Sequence, residues 1–165
     1  MTTWIHRTLG FWRPAWIAVT EVGIWGFVCY FAGLWVGSGF ELKYAVVMAS
    51  TLAVSFGLAV ALHFTVRRKR PDFINIGYTP RLARYSFPSI HATVSFALAT
   101  ALLFVHVDLA GVSWKLIPFL IVAVGLAKVI SLSRIVVGVH HWSDVIAGGF
   151  LGIGVGVVAG ILMNL

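Results

Sequence analysis

Five long apolar stretches dominate the sequence, running roughly from Ala15 to Gly37, Tyr44 to Val66, Ile90 to Val107, Leu116 to Val137 and Val145 to Leu165. Each comes close to or exceeds the ~20 residues an α-helix needs to cross the hydrocarbon layer of a bilayer. Backbone N–H and C=O groups meet no water there, so such segments fold as helices that satisfy their own hydrogen bonds. Of the 165 residues 60% are hydrophobic and 10% charged, with a mean hydropathy of +0.98, which excludes a soluble globular domain. The expected fold class is all-α, a polytopic transmembrane helical bundle of about five spanning helices. Residues 1–165 should form one domain, since little chain is left for a separate soluble one.

The first stretch follows Arg7 and Arg13 but outruns a signal-peptide core and lacks a small-residue cleavage site, so it is expected to stay as an anchor. Ahead of it, residues 1–14 mix Trp4, Phe11 and Trp12 with His6, Arg7 and Arg13, as suits a segment lying at headgroup level. Cys29 is the single cysteine, which excludes an internal disulfide and a thiolate metal cluster. The formal net charge is +7, yet the basic residues crowd into one loop beside the spans instead of covering a soluble face. Anionic lipid, and not nucleic acid, is the partner this implies.

Five crossings bring the amino terminus, the loop from about Arg67 to Pro88 and the turn from Gly138 to Ser143 to one side of the membrane. That side carries Arg7, Arg13, Arg67, Arg68, Lys69, Arg70, Arg81 and Arg84, against Lys43 and Lys115 opposite. The positive-inside tendency therefore assigns it to the cytoplasm.

Three clusters with chemical capacity fall on the same side. Arg70 precedes Pro71, which turns the chain out of the second span. His63 lies two turns back on the same helical face. Ser89 suits the N-cap of the third span, and His91 follows in the first turn, where free N–H groups and the helix dipole favour an anion. Beyond Ser133 and Arg134, Gly138 should end the fourth span, with Ser143 or Asp144 capping the fifth. If the turn around His140 is helical, His140 and Asp144 stand at i and i+4, so the carboxylate fixes one imidazole nitrogen and leaves the other as a nucleophile. His141 is expected to point away, at the interface.

Gly148, Gly152, Gly156 and Gly160 form a small-residue stripe, read first as close packing within the bundle and second as an oligomer seam. Lys128 and Glu21 sit inside spans, where a charge at mid-helix costs about 2.5 to 3.5 kcal/mol, so both should reach for the interface.

Order, spacing and position of the three clusters resemble those of the membrane-bound type-2 phosphatidic acid phosphatase family, relatives of bacterial acid phosphatases and vanadium haloperoxidases. That family carries Lys, six residues, Arg-Pro; then Pro-Ser-Gly-His; then Ser-Arg, five residues, His, three residues, Asp. Here the third motif is complete from Ser133 and Arg134 through His140 to Asp144, the second has Ile90 for glycine, and the first has His63 for lysine. The resemblance covers roughly Ala61 to the carboxyl terminus, with one amino-terminal span fewer than the common six-helix members.

The resemblance implies an integral membrane phosphatase of a bacterial or archaeal cytoplasmic membrane that needs no metal or other cofactor. His140 would be the nucleophile, His91 the acid for the leaving oxygen and Asp144 the orienter of His140. Arg70, Arg134, Ser89, His63 and Lys69 would contact the phosphate, Lys69 making up for the absent lysine. The implied substrate is a lipid phosphate: polyprenyl diphosphate, a polyprenyl-phosphate-linked phosphosugar or a glycerolipid phosphate. Two further readings stand beside it. One takes His63, His91, His140 and Asp144 as metal ligands of a hydrolase; the other is a non-enzymatic protein whose basic loop binds anionic lipid.

Overall fold

The computed structural model describes residues 12–71, 85–112, 114 and 116–164. Most of the expected headgroup-level segment, with Arg7, and the residues Arg81, Arg84 and Lys115 lie outside the described residues. Five helices follow one another: α1 (Arg13–Gly37), α2 (Leu42–Val66), α3 (Ile90–Ala110), α4 (Leu116–Val136) and α5 (Trp142–Met163). All five are long and apolar enough to cross a membrane, so the protein is an integral membrane helical bundle, as its hydropathy requires.

Local chemistry sets the ends that matter for the site. α1 opens on Pro14, where a missing N–H costs no helical hydrogen bond. α2 stops at Arg67, which takes a left-handed conformation with φ 53°. α4 closes in a Schellman turn: Gly138 has φ 84°, its N–H donates to the Ile135 carbonyl at 2.9 Å, and the Val139 N–H donates to the Arg134 carbonyl at 3.1 Å. α5 begins three residues earlier than the expected Val145, so neither Ser143 nor Asp144 is its cap. His141 holds that position, and Asp144 sits in the first turn with its Oδ2 accepting the His141 N–H at 2.8 Å. This is the reaching-back half of a capping box.

α3 occupies the centre and packs against the other four helices; Ala92, Ala97, Ala101, Leu102 and Val105 on it have no exposed surface. Its tightest partner is α5. In lipid, helices gain little from burying apolar surface and associate where small residues let backbones come close. The glycine stripe supplies that contact. A methyl group on Gly148 would stand 2.8 Å from the Ser89 carbonyl oxygen, and one on Gly156 would stand 2.7 Å from that of Ala97. Gly152 faces the Thr93 carbonyl, and Gly160 faces the Phe104 ring. All four glycines are therefore engaged inside one chain, in the close packing expected first.

α1 lies against α4, where Gly23 admits the Ile130 side chain and the buried hydroxyls of Thr20 and Ser133 meet at 2.6 Å. At the end of the bundle where α2 begins and α3 finishes, the Lys43 ammonium and the Tyr44 hydroxyl both donate to Asp108 Oδ2, at 2.7 and 2.8 Å, tying α2 to α3. Glu21 and Lys128 are both exposed on the bundle surface.

A methyl group at position 152 would also stand 2.9 Å from the Ala97 nitrogen. Gly152→Ala is thus expected to cost about 1 to 3 kcal/mol through overpacking against backbone. Gly154→Ala, where nothing lies within 4 Å, should leave stability unchanged. Thermal unfolding of the two variants in detergent checks the difference.

Candidate active site

Three chain segments meet at the end of the bundle where α2 and α4 finish and α3 and α5 begin, and backbone groups join them. The Ser86 N–H donates to the Arg68 carbonyl at 2.8 Å, the Ser89 N–H to the Asp144 carbonyl at 3.0 Å, and the Arg70 guanidinium to the Val139 carbonyl at 2.8 Å. The loop after α2, the approach to α3 and the α4–α5 turn therefore form a single knot. His91 and His140 fall on the same membrane boundary, and each feels the charge of both Arg70 and Arg134.

His140 lies in the turn just before α5 and is 5% exposed. Its Nδ1 stands 2.7 Å from the Ser86 carbonyl oxygen. A carbonyl only accepts, so Nδ1 carries the hydrogen and Nε2 keeps its lone pair. The expected orienter was Asp144, and here the structure corrects the sequence reading. Because α5 starts at Trp142, His140 is not helical, and its Nδ1 is 3.8 Å from Asp144 Oδ2, beyond hydrogen-bonding distance. A backbone carbonyl holds the imidazole, while the fully buried carboxylate lies alongside as a negative charge. His141, expected to point away, instead brings its Nδ1 to 3.1 Å from the same carboxylate oxygen.

Arg134 sits in the last turn of α4 and is 1% exposed. Arg70, just past the end of α2, is half-buried and anchored on Val139, the residue before His140. His91 is the second residue of α3 and partly buried. Ser89 has no exposed surface and caps α3 as expected, its hydroxyl accepting the Ala92 N–H at 3.5 Å and its carbonyl accepting the Thr93 N–H at 2.9 Å. Its observed work is that of a cap and a strut.

Two other expected phosphate contacts are placed differently. His63 is buried, and its Nε2 accepts the Tyr85 N–H at 3.3 Å while the ring packs edge-on against Tyr85 and Phe64. In this position His63 braces Tyr85 at the start of the segment that leads into α3. Lys69 has an exposed side chain, and its carbonyl accepts the Ser86 hydroxyl at 3.1 Å.

The cation that does enter the knot is Arg68, which reads in the sequence as part of a basic run. Its guanidinium donates to Asp144 Oδ1 at 2.8 Å and to the Ser143 hydroxyl at 2.5 Å, while its carbonyl holds Ser86. Both groups that flank the Nδ1 side of His140 are thus positioned by one residue. Ser86 was also missed, and no pattern flags it because it holds His140 through its backbone carbonyl. The alternative metal set does not converge. Asp144 is occupied by Arg68 and His141 and His63 is turned to Tyr85, and among the described residues no three His, Cys, Asp or Glu side chains share a cation-sized space.

The arrangement suits a tetrahedral oxyanion: two guanidinium groups, the opening N–H groups of α3, a second imidazole at that helix end, and an imidazole with a free lone pair. The PAP2 superfamily model matches residues 40–164. Undecaprenyl-diphosphatase of Sulfolobus acidocaldarius is 38% identical over 109 residues, covering 62% of this chain and 48% of that protein. Decaprenylphosphoryl-5-phosphoribose phosphatase of Mycobacterium tuberculosis is 38% identical over 109 residues, covering 64% of this chain and 53% of that protein. The chain thus spans about half the length of the curated relatives it matches. The crystal structure of a transmembrane PAP2-type phosphatidylglycerolphosphate phosphatase from Bacillus subtilis superposes with a TM-score of 0.78 at 21% identity, over 93% of this chain and 77% of that one. At that identity the likeness speaks for the fold.

Burial, above all, and the positive charges of Arg134 and Arg70 lower His140 to about 4, against the raising influence of Asp144. Histidine nitrogen spectra of the labelled protein in micelles should therefore show His140 neutral and Nδ1-protonated at pH 6. Since the folded value lies below the ordinary 6.5, the stability from keeping this ring neutral is full above pH 6.5 and is lost as pH falls through about 4.

Proposed function

The chain belongs to the PAP2 superfamily, and on that premise we propose that it hydrolyses a phosphate monoester or diphosphate of a membrane lipid through a phosphohistidine. The observation that carries this reading is the 2.7 Å approach of His140 Nδ1 to the Ser86 carbonyl, which leaves Nε2 its lone pair in the field of two guanidinium groups. His140 Nε2 attacks phosphorus and forms the N–P bond as the P–O bond to the lipid breaks. His91 passes a proton to the departing oxygen. Water then adds to phosphorus, giving its proton back to His91, and the N–P bond cleaves to release phosphate and restore His140. Arg70, Arg134 and the N–H groups opening α3 hold the equatorial oxygens, so the charge that develops is met by groups already in place.

Asp144 acts on His140 through space and through its hold on the α5 cap, and Arg68 keeps Asp144 and Ser86 where His140 needs them. The names of the two curated relatives support a polyprenyl-linked diphosphate or phosphosugar as the substrate, with glycerolipid phosphates as the neighbouring class. The charge pattern of the sequence supports a cytoplasmic site: without Arg70 and Arg134, seven basic residues are expected on its side against two opposite.

The test is phosphate release from a panel of lipid phosphates by purified protein in detergent with a chelator present. His140→Ala should lose all turnover while remaining folded, and Arg70→Ala or Arg134→Ala should lose about a hundredfold to a thousandfold in kcat. Turnover that survives His140→Ala sinks the phosphohistidine route, and turnover that disappears with the chelator revives a metal.

Arg68→Gln removes a group that touches no reacting atom. It should lower kcat about tenfold at unchanged KM, with the Arg68→Lys variant restoring part of the loss. A rise in KM alone would assign Arg68 to substrate binding instead.

A further inference from the structure

Hydrogen bonds string the segment that enters α3 on the end of α2. The Ser86 N–H donates to the Arg68 carbonyl at 2.8 Å, the Ser86 hydroxyl to the Lys69 carbonyl at 3.1 Å, and the Tyr85 N–H to His63 Nε2 at 3.3 Å. The first two acceptors are backbone carbonyls just past the helix, which almost any sequence would provide. The third is a side chain, and it comes from inside the span, before α2 ends at Val66.

What the segment delivers is the Ser86 carbonyl, 2.7 Å from His140 Nδ1. Between the nitrogen that His63 holds and the oxygen that holds His140 lie only the backbones of Tyr85 and Ser86. A shift at one end is therefore felt at the other, and a nucleophile is sensitive to displacements well below a bond length. His63 is suited to the hold. It is 1% exposed, and its ring packs edge-on against Phe64 and Tyr85, with centroids 5.4 and 5.6 Å away, which sets the direction of Nε2. The Tyr85 contact is part-buried, and a backbone N–H left there without an acceptor is costly.

The family motif has lysine at this position, whose ammonium offers only donors and no acceptor. Lysine cannot hold the Tyr85 N–H. Resting on the function proposed above, we propose that His63 is a positioning residue for the nucleophile: it fixes the Tyr85–Ser86 segment, and through it the carbonyl that orients His140, and it does not contact the phosphate. The change of residue type in the first motif then goes with a change of task, and holding the oxyanion falls to Arg70, Arg134 and the opening of α3.

Three substitutions separate the two tasks. His63→Gln keeps an acceptor at about the reach of Nε2, His63→Leu keeps bulk without an acceptor, and His63→Lys restores the family residue. The readouts are phosphate release from farnesyl diphosphate, its inhibition by inorganic phosphate, and the His140 Nδ1–H signal of nitrogen-labelled protein in micelles. His63→Leu and His63→Lys should each lower kcat about tenfold, as when one hydrogen bond of this kind is lost, with KM and the inhibition by phosphate unchanged. Both should shift the His140 signal, and His63→Gln should restore most of the rate and the wild-type signal. His63→Asn, whose shorter amide falls short of Tyr85, takes the place of His63→Leu if that variant does not fold in detergent.

A His63→Lys protein as active as wild type, or phosphate inhibition that weakens in His63→Gln and His63→Leu alike, assigns His63 to the phosphate and overturns the proposal. So does a His63→Leu protein with wild-type kcat and an unmoved His140 signal. Wild-type protein that releases phosphate from neither farnesyl diphosphate nor the lipid panel overturns the phosphatase reading instead. The His140 signal across the same variants, which needs no turnover, then still decides whether His63 holds the ring.

Discussion

The close approach of α3 and α5 is the constraint from which the site follows. Four glycines on one face of α5 let the helices come near enough for the Ser89 N–H to reach the Asp144 carbonyl. That bond registers the first turn of one helix against the first turn of the other. Each helix presents its opening N–H groups to the same corner, so two partial positive charges converge before any side chain is counted. The guanidinium groups of Arg70 and Arg134 add to a field that backbone geometry has already begun, and the burial of Arg134 and His140 keeps it from being screened by water.

Much of this was legible in the sequence because the determinants are periodic or punctual. Five apolar runs give five helices, Ser89 reads as a cap, Gly138 as a terminator, and the four-residue glycine spacing as a packing stripe. The convergence of Arg70, His91, Arg134 and His140 follows from counting crossings, since an odd number of spans between any two would have separated them.

What stayed hidden is carried by backbone atoms and by boundary shifts of a few residues. An early start for α5 takes His140 out of the helix, which moves Asp144 from hydrogen-bond partner to neighbour and gives its place to the Ser86 carbonyl. Side-chain spacing cannot announce a carbonyl. For the same reason Arg68 is indistinguishable from Arg67 and Lys69 in a basic run, though its guanidinium alone of the three reaches Asp144. The histidine in place of the expected lysine has become a brace for Tyr85, one residue before the carbonyl that holds His140. A position that departs from a motif has thus kept a tie to the reaction centre by another route.

The meeting of Thr20 with Ser133 bears on how the bundle is put together. Ser133 already donates to the Ile130 carbonyl of its own helix at 2.6 Å, so it is Thr20 that offers the hydrogen to Ser133. Withdrawing α1 would leave Ser133 satisfied, and Thr20 would turn its hydroxyl back onto its own helix, as threonines in lipid readily do. Neither hydroxyl is orphaned by the separation; what is lost is the apolar packing of Phe27, Ile24 and Phe31. The family model matches from residue 40, after α1 has ended, while the superposition on the Bacillus subtilis structure covers 93% of the chain and so takes in α1. The first helix is therefore held to the rest by the fit of apolar surfaces, with Phe27 set into the core and Ile130 seated on Gly23, and its polar bonds add little to that grip.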